Sequence, residues 1–280
     1  MFARRRFNLT QRFGGQWTLI KLEMLQSYLS FYTTALKNQN FSLCYIDAFA
    51  GSGNVDLKTE HNVTGSALRA LDHPFDRYIF IEQDESYLSE LSSKVLKRAP
   101  GKCIDFISGD CNDSLRKVLS YKWYANHWRG VIFLDPYAMD LKWETLASIA
   151  KTQAFDVWYL FPLSALIRCL PREGRIPASW KEKIDGLLGT DEWQNELYHA
   201  PAQLSLFDDD RVERVEVEGV EAYVIKRLRT IFPGVSANPA VLRQSKNAPM
   251  FLLCFAISNS NPRAIQLSLN GADHILKHKT

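Results

Sequence analysis

The sequence predicts an α/β fold built on a doubly wound, mostly parallel sheet. Short apolar runs rich in β-branched and aromatic residues recur along the chain, and helical patterns separate most of them. Strands that are each followed by a helix are typical of a parallel sheet covered on both faces. The predicted strands are Leu43–Ile46, Tyr78–Ile81, Ile104–Ile107, Val131–Leu134, Asp156–Phe161 and, near the end, Met250–Ile257.

Helices are predicted before the first strand and between the later ones. Residues 17–37 carry an apolar stripe at helical spacing. Thr64 or Ser66 can cap the second helix, and Ser86 the third. The helices predicted after strands are Ser66–Leu71, Tyr87–Leu96, Ser114–Leu119, Trp143–Ala150, Trp180–Leu188, Ala222–Ile231 and Pro262–Leu276.

The alternation of strand and helix stops after the fifth strand. Residues 165–221 are mixed in pattern, with several prolines and an acidic run, and we interpret them as an inserted helical or irregular segment or cap. Residues 17–164 and 222–280 then form the core. Residues 1–16 are basic and polar, which predicts an arm outside the core.

Composition limits the functional classes to which this protein can belong. The chain has 280 residues and a net charge of +3, which is too small to indicate nucleic-acid binding by itself. Its five cysteines are an odd number and widely spaced, as expected for a reduced, cytoplasmic protein. No apolar run is long enough to span a bilayer, and no apolar segment of a signal peptide follows the basic start. We predict no membrane association and no metal site.

Acidic residues and glycines follow the first four predicted strands. In an open parallel sheet, ligands bind outside the carboxyl ends of the strands, near the point where the strand order reverses. These residues are Asp47 with Gly51 and Gly53, then Glu82, then Asp110, then Asp135. Acids at strand ends are also common as helix caps, so the ordered set, rather than any one residue, favours a ligand site.

The chemistry of this set suits a nucleoside. A carboxylate after the second strand can accept both hydroxyls of a ribose, and one after the third can accept a bond from an adenine amino group. A glycine turn lets the backbone approach a ligand closely.

Three related motifs are absent. Dinucleotide binding requires G-x-G-x-x-G, but position 56 is Asp. A P-loop requires glycine before Lys58, where the chain has Leu57. The G-x-S-x-G turn of α/β-hydrolases does not occur. The remaining interpretation is an S-adenosylmethionine (SAM) site.

The residues resemble class I SAM-dependent methyltransferases, which are Rossmann-like, and within them the three-Cys-motif partner (TcmP) family. The resemblance covers most of the chain and is weakest within 165–222. The segments that carry it are 45–53, 64–66, 80–82, 109–110, 133–137 with Trp143, 158–162 and 251–261.

This resemblance implies roles for individual residues. Asp47, Gly51 and Gly53 would border the methionine part of SAM, Glu82 would hold the ribose and Asp110 the adenine. The full set of implied cofactor-binding residues is Asp47, Phe49, Gly51, Gly53, Glu82, Asp110 and Cys111. The implied catalytic residues are Asp135, Pro136 and Tyr137, and those on the substrate side are Lys21, Phe161 and Pro162.

The catalytic segment departs from the pattern of adenine amino-methylating enzymes. Those enzymes commonly carry Asp, Asn or Ser followed by two prolines and an aromatic residue, whereas this chain has one proline, in Asp135-Pro136-Tyr137-Ala138. Lys21 in the first helix, followed by the glycine turn, is also similar, over two segments, to adenine-N6 methyltransferases of large-subunit ribosomal RNA.

We therefore predict a SAM-dependent methyltransferase that acts on a nucleic-acid base amino group, with adenine N6 favoured. The alternative is a non-catalytic or regulatory subunit that binds SAM or a related nucleoside and works with a three-Cys-motif protein. Arg4, Arg5, Arg6 and Arg12 could contact the phosphates of a nucleic-acid partner, although a flexible basic tail is as good an interpretation.

Overall fold

The computed structural model describes residues 15–55, 63–200, 212–244 and 246–278. Most of the predicted arm at 1–16, including its arginines, lies outside these ranges. The helices are α1 Gln16–Leu36, α2 Ser66–Ala70, α3 Glu85–Arg98, α4 Cys111–Leu119, α5 Trp143–Lys151, α6 Leu163–Arg168, α7 Ala178–Leu188, α8 Trp193–Glu196, α9 Val217–Leu228 and α10 Pro262–His278. The strands are β1 Ser42–Asp47, β2 Asn54–Val55, β3 Val63–Thr64, β4 Arg77–Glu82, β5 Ile104–Ser108, β6 Trp128–Leu134, β7 Phe155–Phe161, β8 Tyr198–His199, β9 Glu213–Arg214, β10 Gly234–Val235, β11 Ala240–Arg243 and β12 Pro249–Ile257.

The central sheet has the order β5-β4-β1-β6-β7-β12-β10, and β11 also pairs with β12. The five strands from β5 to β7 are parallel, and β12 runs antiparallel to β7. The strand order reverses between β1 and β6, as at the switch point of a Rossmann-like sheet. The predicted fold class, a doubly wound and mostly parallel sheet, is confirmed.

Apolar cores lie on both faces of the sheet because successive side chains of a strand point to opposite sides. Ile46 and Ile132 belong to the core that α4 to α9 cover. Tyr45 and Phe133 belong to the core that α1, α2, α3 and α10 cover. This two-sided burial explains why the strands appear in the sequence as nearly continuous apolar runs.

The predicted helix caps are wrong. The N-cap of α2 is Gly65, which offers no side-chain bond, rather than Thr64 or Ser66. The N-cap of α3 is Asp84, whose carboxylate accepts bonds from the amides of Ser86 at 2.8 Å and Tyr87 at 3.2 Å. Ser86 lies inside the first turn, so its own amide needs an acceptor instead.

The structure contains several short strands that the sequence did not predict. β11 has four residues, and β2, β3, β8, β9 and β10 have two each. Such segments are too short for an alternating pattern, and their pairing partners define them. Within 163–200, α6 to α8 follow β7, and fully buried Trp193 joins the same apolar core as the sheet. The insert at 165–221 remains a prediction.

Candidate functional site

The parallel strands bring the predicted acidic residues to one edge of the sheet. We call the carboxyl ends of β1, β4, β5 and β6, with the loops that follow them, the rim. In the strand register Asp47 lies opposite Phe80 and Phe133, and Glu82 lies opposite Ser108. The rim therefore includes the switch point between β1 and β6.

The turn after β1 depends on two glycines. Gly51 has φ +60° and Gly53 has φ +86°, both in the left-handed region that favours glycine. A Cβ on Gly53 would lie 2.9 Å from a Leu91 carbon and 3.0 Å from a Leu68 carbon, whereas a Cβ on Gly51 would meet no atom within 4 Å. Gly53 is thus required for packing, while Gly51 faces open space where a ligand could approach the backbone.

Glu82 connects this turn to the end of β4. Its Oε2 accepts the amide of Gly51 at 2.8 Å, and its Oε1 accepts the amide of Asp84 at 3.0 Å. An ionised carboxylate has about four acceptor positions, so two remain for hydroxyl donors. Half-buried Glu82 can therefore hold the turn and a diol together.

Asp110 caps α4 and keeps one oxygen free. Its Oδ1 accepts the amides of Asn112 at 2.9 Å and Asp113 at 3.1 Å, and among the described residues its Oδ2 accepts no bond. The helix-cap interpretation and the ligand interpretation are therefore compatible at this residue. Neighbouring Cys111 is buried, and burial raises the pKa of its thiol to about 12, so the thiol is neutral.

Asp47 is fully buried beneath the turn. Its carboxylate accepts bonds from the Phe49 amide and the Tyr45 hydroxyl, each at 3.3 Å, and from the Ser66 side chain. Burial, with a smaller contribution from the charge of Asp135, raises the pKa of Asp47 to about 6. Because its partners enclose it, Asp47 orders the turn and half-buried Phe49 rather than facing the open rim.

Lys21 reaches the end of β6 from α1. Its ammonium forms an ion pair with Oδ2 of Asp135, and the Lys21 side chain is 6% exposed against 29% for Asp135. The ammonium also lies 5.5 Å from the Trp17 ring centroid and 5.8 Å from that of Phe133, where both rings favour a cation. The sequence analysis placed Lys21 on the substrate side, and the structure joins it to the proposed catalytic acid.

The residues after Asp135 differ in exposure. Pro136 is buried, whereas Tyr137 is 67% exposed. Ala138 follows with φ +53°, an uncommon conformation for a residue other than glycine. Ala138 stands where the aromatic residue of the adenine amino-methylating pattern would be, and Tyr137 comes one position earlier.

Asn112 is a structural residue of the site that the sequence analysis missed. It is buried; its Nδ2 donates to the Asp140 carbonyl at 3.0 Å, and its Oδ1 accepts from the Lys142 amide at 3.0 Å and the Thr145 hydroxyl at 2.7 Å. These bonds fasten the loop after Asp135 to α4. The feature of the sequence that could have identified Asn112 is its position, since it is a polar residue on the inner face of an amphipathic helix.

Phe161 and Pro162 end β7 on the same side of the sheet as the rim. Phe161 is 2% exposed and packs within the core, and Pro162 is buried at the start of α6. Both residues are therefore buried next to β6 and present no exposed surface to a substrate.

The rim thus offers acceptors at Glu82, Asp110 and Asp135, open backbone at Gly51 and an exposed ring at Tyr137. In the described parts of the chain, no group of three His, Cys, Asp or Glu side chains is arranged to hold a metal. In the same parts, no helix has the length and apolar character needed to cross a membrane.

Comparison with known proteins finds similarity only in the fold of the backbone. No protein-family model and no curated protein matches the chain. Among solved structures, it is similar to protein LPL1258 of Legionella pneumophila, from family DUF519 (15% identity, 94% of this chain and 93% of that one, TM-score 0.49). It is also similar to Trm1 of Pyrococcus horikoshii, solved with S-adenosyl-L-methionine (12%, 94% and 58%, TM-score 0.44), and to an O-methyltransferase of Bacillus cereus, solved with SAH (11%, 89% and 84%, TM-score 0.43).

Proposed function

We propose that this protein is a SAM-dependent methyltransferase whose substrate is a nucleic-acid base amino group, with adenine N6 favoured. The observation that carries the proposal is the ordered set of acceptors around an open glycine turn at the switch point of the sheet. Ligands of open α/β sheets bind at this location.

The rim residues fit SAM by the chemistry of their free atoms. Glu82 has two acceptor positions for the ribose hydroxyls, and Oδ2 of Asp110 has one for the adenine amino group. The open space above Gly51 admits the methionine portion against backbone. When bound, SAM supplies a methyl group on a positively charged sulfur, ready for transfer to a nucleophile.

Asp135 is the residue proposed to orient the substrate amine. Lys21 binds its Oδ2, which leaves Oδ1 to accept an N–H from the amino group that is methylated. Fixing that N–H aims the nitrogen lone pair, and positioning of this kind can supply a large share of catalysis. With SAM bound, the amine nitrogen would form a bond to the methyl carbon as the bond from that carbon to sulfur breaks, leaving a neutral thioether, and the amine proton would pass to water.

Exposed Tyr137 supports a planar substrate. Its ring follows Asp135 at the rim and is the most exposed large aromatic side chain of the described residues. A base within a duplex would have to leave the stack to reach Asp135, and an aromatic side chain can then stack on it.

Two matched variants test the cofactor site. Asp110→Asn keeps a capping oxygen for α4 but replaces the free acceptor with an amide that donates. We expect SAM affinity, measured by calorimetry, to fall about tenfold, since one hydrogen bond of an adenine amino group is lost. Asp84→Asn changes the same type of cap on α3 and should leave affinity unchanged. Equal affinity in Asp110→Asn and wild-type protein would remove Asp110 from the cofactor site.

Two observations favour the alternative, a non-catalytic SAM-binding subunit of a three-Cys-motif system. Asp135 already has a cationic partner in Lys21, and the motif after it lacks one proline. Incubation with methyl-labelled SAM and DNA, RNA or protein fractions, with and without a three-Cys-motif protein, separates the two. Label in a nucleic acid supports the enzyme, whereas SAM binding without label in any fraction supports the subunit.

A further inference from the structure

A cavity lies at the edge of the sheet opposite the rim. We call it the amino-end cavity, because it lies at the amino ends of β6 and β7, between the second half of α1 and the first half of α10. Its volume is about 190 Å³, several times the roughly 30 Å³ that one water occupies in the liquid. Side chains that line it and carry the argument are Tyr32, Phe41, Tyr124, Arg129, Asp156 and Ser268.

Asp156 places a buried acceptor in this cavity. The residue is 4% exposed, and its Oδ2 accepts bonds from the Tyr28 hydroxyl at 2.5 Å and the Ser268 hydroxyl at 2.9 Å. Within the described part of the chain, Oδ1 accepts no bond. Because Asp156 lines the cavity, its Oδ1 is available to accept an N–H from a ligand.

Tyr32 adds a second unused polar atom. It is 6% exposed and lines the same cavity, yet its hydroxyl has no hydrogen-bond partner among the described residues. Buried tyrosine hydroxyls usually find a partner. Asp156 and Tyr32 are thus two polar side chains, each more than nine-tenths buried, with atoms available to a ligand.

Arg129 supplies donors between aromatic rings. Its guanidinium carbon lies 4.5 Å from the Phe41 ring centroid and 4.0 Å from that of Tyr124. Nη1 donates to the carbonyls of Trp128 at 2.7 Å and Tyr124 at 3.4 Å, and the Tyr124 side chain also interacts with the guanidinium. An arginine has five N–H donors, so others remain for a ligand. The lining therefore combines ring surfaces, a buried acceptor and free donors.

We propose that the amino-end cavity binds a small planar nitrogen heterocycle of nucleobase type, which donates an N–H to Asp156, accepts a bond from Arg129 and packs against the aromatic lining. A purely apolar ligand would leave Asp156 and Tyr32 without partners. The carboxylate disfavours an anion, and the guanidinium disfavours a simple cation. A ring with both a donor and an acceptor satisfies each of these groups.

Free bases test the site without the ribose and methionine of SAM. Adenine, hypoxanthine and cytosine are titrated into the full chain, and binding is followed by calorimetry and by ligand-observed NMR. We expect at least one base to bind saturably. Ala264→Leu fills the cavity from α10, and it should weaken binding about tenfold or more, since the added side chain occupies the ligand's space. Ala178→Leu, at an exposed position of α7, is its matched control and should leave binding unchanged.

Two further variants address the polar contacts. Tyr32→Phe keeps the ring and should weaken binding about threefold, as expected for one neutral hydrogen bond. Asp156→Asn should weaken it about tenfold, because the acceptor loses its charge; if that variant fails to fold, Tyr32→Phe and Ala264→Leu still decide. Base binding measured with SAM at saturating concentration should be unchanged, which separates this cavity from the rim.

Three results would overturn the proposal. The first is the absence of saturable binding of any base at millimolar concentration, which would mean that the cavity holds water only. The second is an unchanged affinity in Ala264→Leu. The third is loss of base binding when SAM is present at saturating concentration, which would assign the binding to the rim.

Discussion

Two buried aspartates at opposite edges of one sheet are held in different ways. Asp47, at the carboxyl end of β1, accepts bonds from residues close to it in sequence, including the Phe49 amide and the Tyr45 hydroxyl. Among the described residues, Asp156, at the amino end of β7, accepts from hydroxyls of residues 128 and 112 positions away, Tyr28 and Ser268. The first arrangement shapes a turn, and the second joins α1, β7 and α10.

Burial raises the pKa of both carboxylates, but the hydrogen bonds that oppose this rise differ between them. It raises the pKa of Asp47 to about 6 and that of Asp156 to about 7. Hydrogen bonds oppose this rise at both sites, and at Asp47 they include a backbone amide. The difference is that a backbone amide and nearby side chains order the carboxylate at the rim, whereas side chains from two distant helices order the carboxylate at the amino end.

The largest effect is expected for Asp135→Asn at the rim. Under the proposed function, methyl transfer to nucleic acid should fall about 100-fold or more, because the oriented acceptor loses its charge, while SAM binding persists. Label incorporation at saturating SAM measures the loss. Glu144→Gln, at an exposed position of α5, is the control and should retain full transfer. Undiminished transfer in Asp135→Asn would mean that the rim acid has no part in the chemistry.

The two glycines of the turn should differ in stability effect. Gly53→Ala should cost about 3 kcal/mol of unfolding free energy, since the new Cβ meets Leu68 and Leu91 in addition to adopting an unfavourable φ. Gly51→Ala should cost about 1 kcal/mol, from backbone conformation alone. Urea unfolding measures both. Equal losses would contradict the assignment of Gly51 to open space.

Removing one tyrosine hydroxyl at each edge tests the two aspartates directly. Tyr28→Phe should cost about 2 kcal/mol of unfolding free energy, because it breaks a 2.5 Å bond to a carboxylate that has one other donor. Tyr45→Phe should cost less than about 1 kcal/mol, since its 3.3 Å bond is longer and Asp47 keeps the Phe49 amide and Ser66. Both rings are fully buried, so packing changes are comparable. The reverse order of losses would refute the difference drawn between the two sites.

Both aspartates should contribute to the pH dependence of the unfolding free energy. The pKa of an aspartate in the unfolded chain is about 3.9, whereas the pKa values of folded Asp47 and Asp156 are higher. The folded state therefore binds more protons between about pH 4 and pH 7, and its unfolding free energy should fall as pH rises through that window, by up to about 1.4 kcal/mol per unit for each group.

Single variants assign the two parts of this slope. Asp47→Asn should remove the part that ends near pH 6, and Asp156→Asn the part that continues to pH 7. Unfolding curves at half-unit steps of pH measure the slope. A slope that is unchanged in both variants would show that neither aspartate has a raised pKa.

Much of the fold and of the rim was predictable from the chain. The six main strands follow from apolar runs, and parallel strands must bring Asp47, Glu82, Asp110 and Asp135 to one edge. The order of the strands within the sheet was not predicted. The cap at Asp84 was missed because Ser86, also a good capping residue, lies two positions away. Asn112 was missed because its partners are 28 to 33 residues distant.

The sequence alone determined the six main strands, the longer helices and which edge of the sheet carries the acids, because these depend on local periodicity and on the fixed polarity of parallel strands. Only the tertiary structure decided that Lys21 pairs with Asp135, 114 residues away, and that Tyr28 and Ser268 share one carboxylate. The reason is physical: a hydrogen bond or ion pair between distant residues requires the helices to pack against the sheet first. No local pattern records which side chains then meet.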